Sequence, residues 1–224
     1  MTAPGSMTGV LSALSALPRR GRGRTVMIMA ARRGEGTSGV ARSVAESPLG
    51  GITLLLDLDL ARSDQYRAFS ETGAVLSDGI DARLQGEALY RIVDAQGRPR
   101  PEPRSALAYY RVGRSKLFVS GFAEGALQDG DRLQFPMTPD YWAAVRQSCE
   151  LCVVDAPALE QSRVGLSVCA HMDAVVLVAS GADGSVTATV SLKKQLEAAG
   201  AFVTGVVYTR ADKGAFALER PALG

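Results

Sequence analysis

The sequence predicts an α/β protein with a doubly wound, mostly parallel β-sheet flanked by helices. Three observations predict this class. At least five short runs consist almost entirely of apolar residues, which is typical of strands buried on both faces of a parallel sheet. Segments with helical periodicity separate these runs, as expected where crossover helices join parallel strands. The first run also leads through a loop containing two glycines directly into a helix.

The first strand, its loop and the following helix are the most informative part of the chain. Residues 26–29 are predicted to form a buried strand and residues 39–46 a helix. Gly34 and Gly36 allow the loop between them to turn tightly and to direct several N–H groups toward one anion. Because the loop lies at a helix N-terminus, phosphate is the favoured anion. This is the layout of a P-loop, so we expect a sheet like that of P-loop NTPases.

The loop departs from the P-loop pattern G-x-x-x-x-G-K-[ST] at two positions. Ala31 replaces the first glycine and Thr37 replaces the lysine, whereas Ser38 retains the hydroxyl that would contact Mg²⁺. The lost contact to a charged group contributes roughly 1.5–3 kcal/mol, so nucleotide binding should weaken by about one to two powers of ten. Arg32 and Arg33 either fold back over the phosphates in place of the lysine or remain solvated, and the sequence leaves both open.

Carboxylates follow two of the other buried strands. Asp57 and Asp59 come at the end of the strand predicted over residues 52–56, and Asp155 follows the strand predicted over residues 151–154. Open α/β sheets bind ligands at the carboxyl ends of their parallel strands. We therefore expect these side chains beside the glycine loop, where they could bind hydrated Mg²⁺ or orient a nucleophile. The alternative for Asp57 and Asp59 is that they only begin a solvated loop.

The remaining segments complete the alternation of strands and helices. The pattern predicts short helices over residues 80–84 and 88–93, and a mobile proline-rich loop over residues 96–104. Further strands are predicted over residues 107–111, 116–120, 174–179 and 202–208, and helices over residues 141–149 and 185–199, with Gly200 ending the second of these helices.

Length and composition limit the function classes. The chain has 224 residues, 46% of them apolar and 21% charged, with a net charge of +2. One domain over residues 24–212 accounts for this length, between a flexible basic arm (residues 1–23) and a short tail (residues 213–224). The small net charge gives no reason to expect a nucleic-acid partner. No apolar run reaches the ~18 residues of a membrane-spanning helix.

Cysteine and histidine usage gives no catalytic centre. Cys149, Cys152 and Cys169 are an odd number of cysteines without a secretory signal, so we expect reduced, mostly buried thiols in the cytoplasm. Cys149 and Cys152 have metal-like spacing, but no second ligand pair accompanies them, and core packing is the better interpretation. His171 is the single histidine and precedes a strand, which does not favour a general base.

The order of the motifs GEGTS, LLLDLDLAR, LCVVDAP, MDAVVLVASGADGSV and LEAAGAFVTGVVYTR resembles that of bacterial tyrosine kinases of capsule and exopolysaccharide systems. These kinases belong to the wider class of septum-site and plasmid-partition ATPases. The resemblance covers residues 24–212. It implies that ATP or ADP and Mg²⁺ are cofactors, that Asp57 and Asp59 are catalytic, and that Ser38, Asp57 and Asp155 hold the metal. It also implies a nucleotide site formed by Arg32, Arg33, Gly34, Glu35, Gly36, Thr37, Ser38, Thr209 and Arg210.

The chain departs from the family pattern in four places. Besides Thr37, Thr209 stands where an asparagine usually recognises adenine. The tail 213–224 contains no tyrosine that could be autophosphorylated. The arm before residue 24 also lacks the helix motif with which the family builds its ring of subunits.

These departures lead to one leading hypothesis and two alternatives. The leading hypothesis is a catalytically impaired, kinase-like regulatory subunit of exopolysaccharide synthesis or export. It would lie at the inner face of the cytoplasmic membrane by binding a membrane-embedded polysaccharide co-polymerase, would also bind nucleotide, and could form a homo-oligomer. The first alternative is an active Mg²⁺-dependent ATPase or tyrosine kinase in which Arg32 or Arg33 replaces the lysine. The second alternative is a membrane-associated positioning ATPase, for which the tail supplies no anchoring helix.

Overall fold

The computed structural model describes residues 4–47, 51–75, 77–101, 106–135, 139–180 and 186–209. The helices are α1 (Pro4–Ser15), α2 (Thr37–Ala45), α3 (Asp64–Glu71), α4 (Asp140–Ser148), α5 (Val164–Val168) and α6 (Val186–Ala198), and a 3₁₀ turn covers Cys169–His171. The strands are β1 (Arg24–Ala30), β2 (Thr53–Asp57), β3 (Ile80–Asp81), β4 (Arg91–Val93), β5 (Leu107–Arg111), β6 (Leu117–Phe122), β7 (Arg132–Gln134), β8 (Leu151–Asp155), β9 (Ala174–Ser180) and β10 (Val203–Thr209).

The main sheet has eight strands in the order β10-β9-β1-β8-β2-β6-β5-β3. The neighbouring strands from β10 to β6 pair in parallel, whereas β5 pairs antiparallel with β6 and β3 antiparallel with β5. Strands β4 and β7 form a separate antiparallel pair. The predicted fold class, a mostly parallel sheet flanked by helices, is therefore confirmed.

Helices cover both faces of the sheet because the central strands are apolar on both faces. Alternate residues of β1 belong to two different hydrophobic clusters: Ile28 packs with residues of α1 and α2, and Met27 packs with residues of α4 and α6. The only tryptophan, Trp142 on α4, is buried in the second cluster. The carboxyl ends of β1, β2 and β8 are thereby left at one edge of the sheet, where the loops can form a site.

The helices predicted over residues 80–84 and 88–93 are wrong. Ile80 and Asp81 form β3, which pairs with β5, and residues of β4 pair with β7. Ile92 and Val93 of β4 are buried. Short apolar runs do not distinguish a helix from a strand by periodicity, and here tertiary pairing decides the outcome.

The flexible arm predicted over residues 1–23 is wrong for its described part, residues 4–23. This segment begins with helix α1, and Val10, Leu14 and Leu17 are buried against α2 and the sheet. The Arg24 side chain donates a hydrogen bond from Nε to the Leu17 carbonyl at 2.9 Å. Val10 and Leu14 are four residues apart and lie on one face of α1, and Leu17 follows just beyond the end of the helix. The prediction noted the apolar run over residues 10–17 and still favoured a disordered, solvated arm.

Part of the loop predicted to be mobile has a defined turn. One carboxylate oxygen of Asp94 accepts hydrogen bonds from the backbone N–H groups of Gln96 and Arg98, both at 2.9 Å, and the other accepts from Arg98 Nε at 2.7 Å. The Arg100 backbone N–H donates to the Ile92 carbonyl at 2.8 Å. Residues 102–104 of this loop lie outside the described residues, as does the tail 213–224. Mobility of the loop stays a prediction.

The three cysteines are free and buried, as the sequence predicted. Burial raises the pKa of Cys149 to about 12 and also raises the pKa values of Cys152 and Cys169. His171 contributes its carbonyl oxygen, which accepts hydrogen bonds from Arg146 and Thr25. Among the helices of the described ranges, none combines the length and the apolar character that crossing a membrane requires.

Candidate functional site

The loop after β1 has the backbone of a phosphate-binding turn. Gly34 and Gly36 adopt φ values of +80° and +93°, a region that favours glycine. Gly36 is the N-cap of α2 and caps it without a side-chain hydrogen bond. The first N–H groups of α2 consequently have no capping side chain at this position and are available to an anion.

Thr209, at the end of β10, lies against this loop. Its hydroxyl donates a 2.5 Å hydrogen bond to the carbonyl of Glu35. A methyl group added to Gly36 would come within 3.2 Å of the Thr209 side chain. Thr209 therefore supports the loop by a direct contact. Arg210, which the sequence also predicted at the site, lies outside the described residues.

Two glutamates hold the beginning of the loop. Glu35 is buried, and one of its carboxylate oxygens accepts a 3.1 Å hydrogen bond from the Arg32 backbone N–H. Its other oxygen, Oε1, is buried without a hydrogen-bond partner among the described residues. Glu160 accepts a 2.6 Å hydrogen bond from the Arg33 backbone N–H. These bonds use the amides of Arg32 and Arg33, so an anion would rely on the amides further along the loop.

The two acidic strand ends meet beside the loop. Asp57 and Asp155 are directly opposite each other in the register of β2 and β8, and both are buried. The Asp57 carboxylate accepts hydrogen bonds from the backbone N–H groups of Asp59 at 2.9 Å and Gln65 at 3.2 Å. The Ser120 hydroxyl accepts a bond from the Asp57 backbone N–H at 2.9 Å. Neighbouring parallel strands thus bring together carboxylates separated by almost a hundred residues in sequence.

Sequence reasoning missed Gln65, on α3. Its side-chain amide donates to Asp155 Oδ2 at 2.7 Å and to the Ser38 carbonyl at 3.0 Å, and its amide oxygen accepts from Arg42 Nε at 3.1 Å. The side chain is fully buried. No motif or periodicity marked this residue, because its side-chain partners come from two other elements, α2 and β8.

Burial makes the two strand-end carboxylates unusually basic. It raises the pKa of Asp57 to about 7, with a further contribution from the negative charge of Asp155. Burial likewise raises the pKa of Asp155 to about 6, although hydrogen bonds from Gln65 and Ser38 act in the opposite direction. The pKa of Asp59 is raised mainly by burial. A pair of buried carboxylates with raised pKa values has a strong electrostatic preference for a bound cation or a shared proton.

A cavity of about 340 Å³ lies between the loop and these carboxylates. This volume is near the lower end of the range for small-molecule sites. The residues predicted at the site that line it are Arg32, Arg33, Gly34, Gly36, Thr37, Ser38, Asp57, Asp59 and Asp155. Arg62 also lines it, and its Nε lies 3.9 Å from an Asp59 carboxylate oxygen. Three arginines and four acidic residues therefore surround the cavity.

The donor set fits Mg²⁺ bound together with phosphate. Within the described part of the chain, no group of three or more His, Cys, Asp or Glu residues could hold a metal ion by itself. Mg²⁺ does not require such a group, because it is commonly bound by one or two carboxylates, substrate phosphates and water. Ser38, Asp57 and Asp155 offer only oxygen atoms at the cavity wall, which is the chemistry that Mg²⁺ prefers.

Comparison with known proteins gives matches at the level of structure. Neither protein-family models nor curated protein sequences match this chain. Among solved structures, the chimerical protein CapA2B2 aligns with a TM-score of 0.63 and 18% identity over 95% of this chain and 87% of its own. The kinase domain of the Escherichia coli tyrosine kinase Etk aligns with a TM-score of 0.58 and 18% identity over 95% of this chain and 76% of its own.

A third structure connects the fold with the ATPases named by the sequence resemblance. The septum site-determining protein MinD from Pyrococcus horikoshii, complexed with Mg-ADP, aligns with a TM-score of 0.57 and 16% identity over 88% of this chain and 74% of its own. Identities this low establish the fold alone. The chain has the P-loop fold that the kinase domain of a bacterial tyrosine kinase shares with MinD.

Proposed function

We propose that this chain is a catalytically impaired, kinase-like regulatory subunit that binds nucleotide weakly. The proposal rests on the presence of threonine at position 37. Thr37 lines the cavity at the position of the P-loop lysine, while Ser38, Asp57 and Asp155 still present oxygen atoms to the same cavity. In this proposal these oxygens and the loop amides bind Mg²⁺ and phosphate oxygens, while the lysine cation that would stabilise charge developing on the transferred phosphate is missing.

Each group at the site has a separate task in this proposal. The amides at the start of α2 bind phosphate oxygens, and Ser38, Asp57 and Asp155 would hold Mg²⁺. Mg²⁺ when bound supplies charge neutralisation between phosphate groups. Thr209 supports the loop through the Glu35 carbonyl. Binding without turnover would suit a subunit that acts on its partner by changing conformation or by occupying a place in an assembly.

Restoring the lysine tests the proposal directly. Isothermal titration calorimetry with ADP and Mg²⁺ would compare the parent chain, Thr37→Lys and Thr187→Lys. The second variant adds the same charge at an exposed position on α6. We expect Thr37→Lys to bind ADP about ten- to a hundredfold more tightly than the parent, because it regains a charge-assisted contact, and Thr187→Lys to bind like the parent. Equal affinities of all three proteins would show that the loop does not bind phosphate.

An active enzyme is the alternative, and one observation favours it. Arg32 and Arg33 both line the cavity, so either guanidinium could supply the missing charge. ATP hydrolysis by the pure protein separates the two possibilities. A clear rate that Asp57→Ala abolishes would establish the active enzyme, whereas the impaired subunit gives no rate above that of the same variant.

We further propose that the partner is a membrane-embedded polysaccharide co-polymerase, which would place this chain, as a homo-oligomer, at the inner face of the cytoplasmic membrane. The resemblance to capsule and exopolysaccharide kinases supports this part of the proposal. Fluorescence anisotropy with a labelled peptide from the cytoplasmic end of the host's co-polymerase would measure the interaction. Saturable binding that a scrambled peptide does not reproduce is the expected result.

A further inference from the structure

The strongest unassigned feature of the site is the buried side chain of Gln65. It does not line the cavity. Its side-chain amide donates hydrogen bonds to the Asp155 carboxylate on β8 and to the Ser38 carbonyl on α2. Its backbone N–H also donates to the Asp57 carboxylate. One residue at the start of α3 thereby contacts all three residues that would hold Mg²⁺.

The orientation of the Gln65 amide is fixed by its neighbours. Arg42 has only donors, and its Nε lies 3.1 Å from the Gln65 amide oxygen. The Ser38 carbonyl accepts only, as does the Asp155 carboxylate when ionised. A flipped amide would place its oxygen against these two acceptors and its NH₂ group against a guanidinium, so only the observed orientation satisfies every partner. The Arg42 Cζ atom itself lies over the Phe69 ring, 5.7 Å from the ring centroid.

This arrangement sets the geometry of the Asp155 carboxylate. One of its oxygens, Oδ2, is occupied by the Gln65 amide, so rotation of the carboxylate is restricted. A residue that hydrogen-bonds to one atom of a metal ligand orients that ligand, and this orientation affects how tightly the other atom binds the metal. Gln65 has the contacts of such a residue.

We propose that Gln65 is the positioning residue for divalent-cation binding at this site, with Arg42 fixing its orientation. This inference rests on the proposed function, since it concerns the same Mg²⁺ and nucleotide site. Gln65 does not line the cavity, so its removal should weaken the contribution of Mg²⁺ and leave the contacts of the loop amides with phosphate intact.

The experiment measures that contribution separately. The dissociation constant for ADP is determined by calorimetry in excess EDTA and in excess Mg²⁺, and the ratio of the two values reports the gain from the cation. Gln65→Met preserves side-chain length and removes both hydrogen-bond donors. We expect this variant to lower the ratio by about tenfold, in the range found for residues that hold metal ligands, with the dissociation constant in EDTA changed less than about twofold.

Two further variants make the result specific. Arg42→Met leaves Gln65 in place without its orienting partner, and we expect a smaller decrease of the ratio; this variant also tests the proposal if Gln65→Met does not fold. Gln195→Met, on α6, makes the same substitution away from the site and should leave the ratio unchanged.

The outcomes are distinguishable. A parent chain that binds ADP neither in EDTA nor in Mg²⁺ would refute the proposed function and this inference with it. A parent that binds ADP with a Mg²⁺ gain that Gln65→Met and Arg42→Met both leave unchanged would refute the role of Gln65 alone. An equal loss of affinity with and without Mg²⁺ would also refute it, because that result indicates general damage to the loop.

Discussion

At the scale of single residues, Gly36 tests whether the loop geometry depends on glycine. Its φ of +93° disfavours any other residue, and an added methyl group would press on Thr209 at 3.2 Å. We expect Gly36→Ala to lower the free energy of unfolding by about 1–3 kcal/mol, measured by urea denaturation. Gly39→Ala is the matched control, because a methyl group there meets nothing within 4 Å and alanine favours the helix. Equal stabilities of the two variants would contradict the loop geometry.

The thiols give a second prediction at this scale. Burial raises the pKa values of all three cysteines, that of Cys149 to about 12, and a thiol reacts through its thiolate. At pH 8 we expect no fast reaction of the native protein with Ellman's reagent, followed by reaction of all three cysteines in guanidinium chloride. One rapidly reacting thiol in the native protein would show that its surroundings open readily.

The residues of the site were predictable to the extent that sheet geometry positions them. Asp57 and Asp155 follow apolar strands, and parallel strands must place their carboxyl ends at one edge. Gln65 could not be found in this way, because its contacts depend on where α3 crosses the sheet. The same is true of Glu160, which reaches the loop only because the chain after β8 folds back beside it.

At the scale of secondary-structure elements, helix α1 is the clearest departure from the prediction. Leu14 is buried on its inner face, whereas Leu11 on the same helix is half-buried. We expect Leu14→Ala to lower the free energy of unfolding by about 2–5 kcal/mol and Leu11→Ala to cost less than about half as much, because it removes less buried area. Chemical denaturation measures both. Small, equal effects would mean that the segment is detached from the core in solution.

The strands and helices also show which elements sequence periodicity can predict and which it cannot. The parallel strands were predictable because burial on both faces leaves an unbroken apolar run. Strands β3 and β4 have only two and three residues, too few to show any period, and each exists through pairing with a strand that follows much later. Helix α1 carried a usable signal in the spacing of Val10 and Leu14, since residues four apart share one helical face.

At the scale of the whole molecule, the two hydrophobic clusters lie on opposite faces of the same strands, so neither should survive without the other. The prediction of one domain over residues 24–212 then requires one cooperative unfolding transition. Trp142, the only tryptophan, is buried in the cluster that contacts α4 and α6, and its fluorescence reports that face. Far-UV circular dichroism reports all helices, including α1 and α2 on the other face. We expect both signals to give the same midpoint and slope in a guanidinium chloride titration. Separate transitions would show that the faces unfold independently, and loss of the tryptophan signal at lower denaturant concentration would identify the α4 and α6 side as the weaker part.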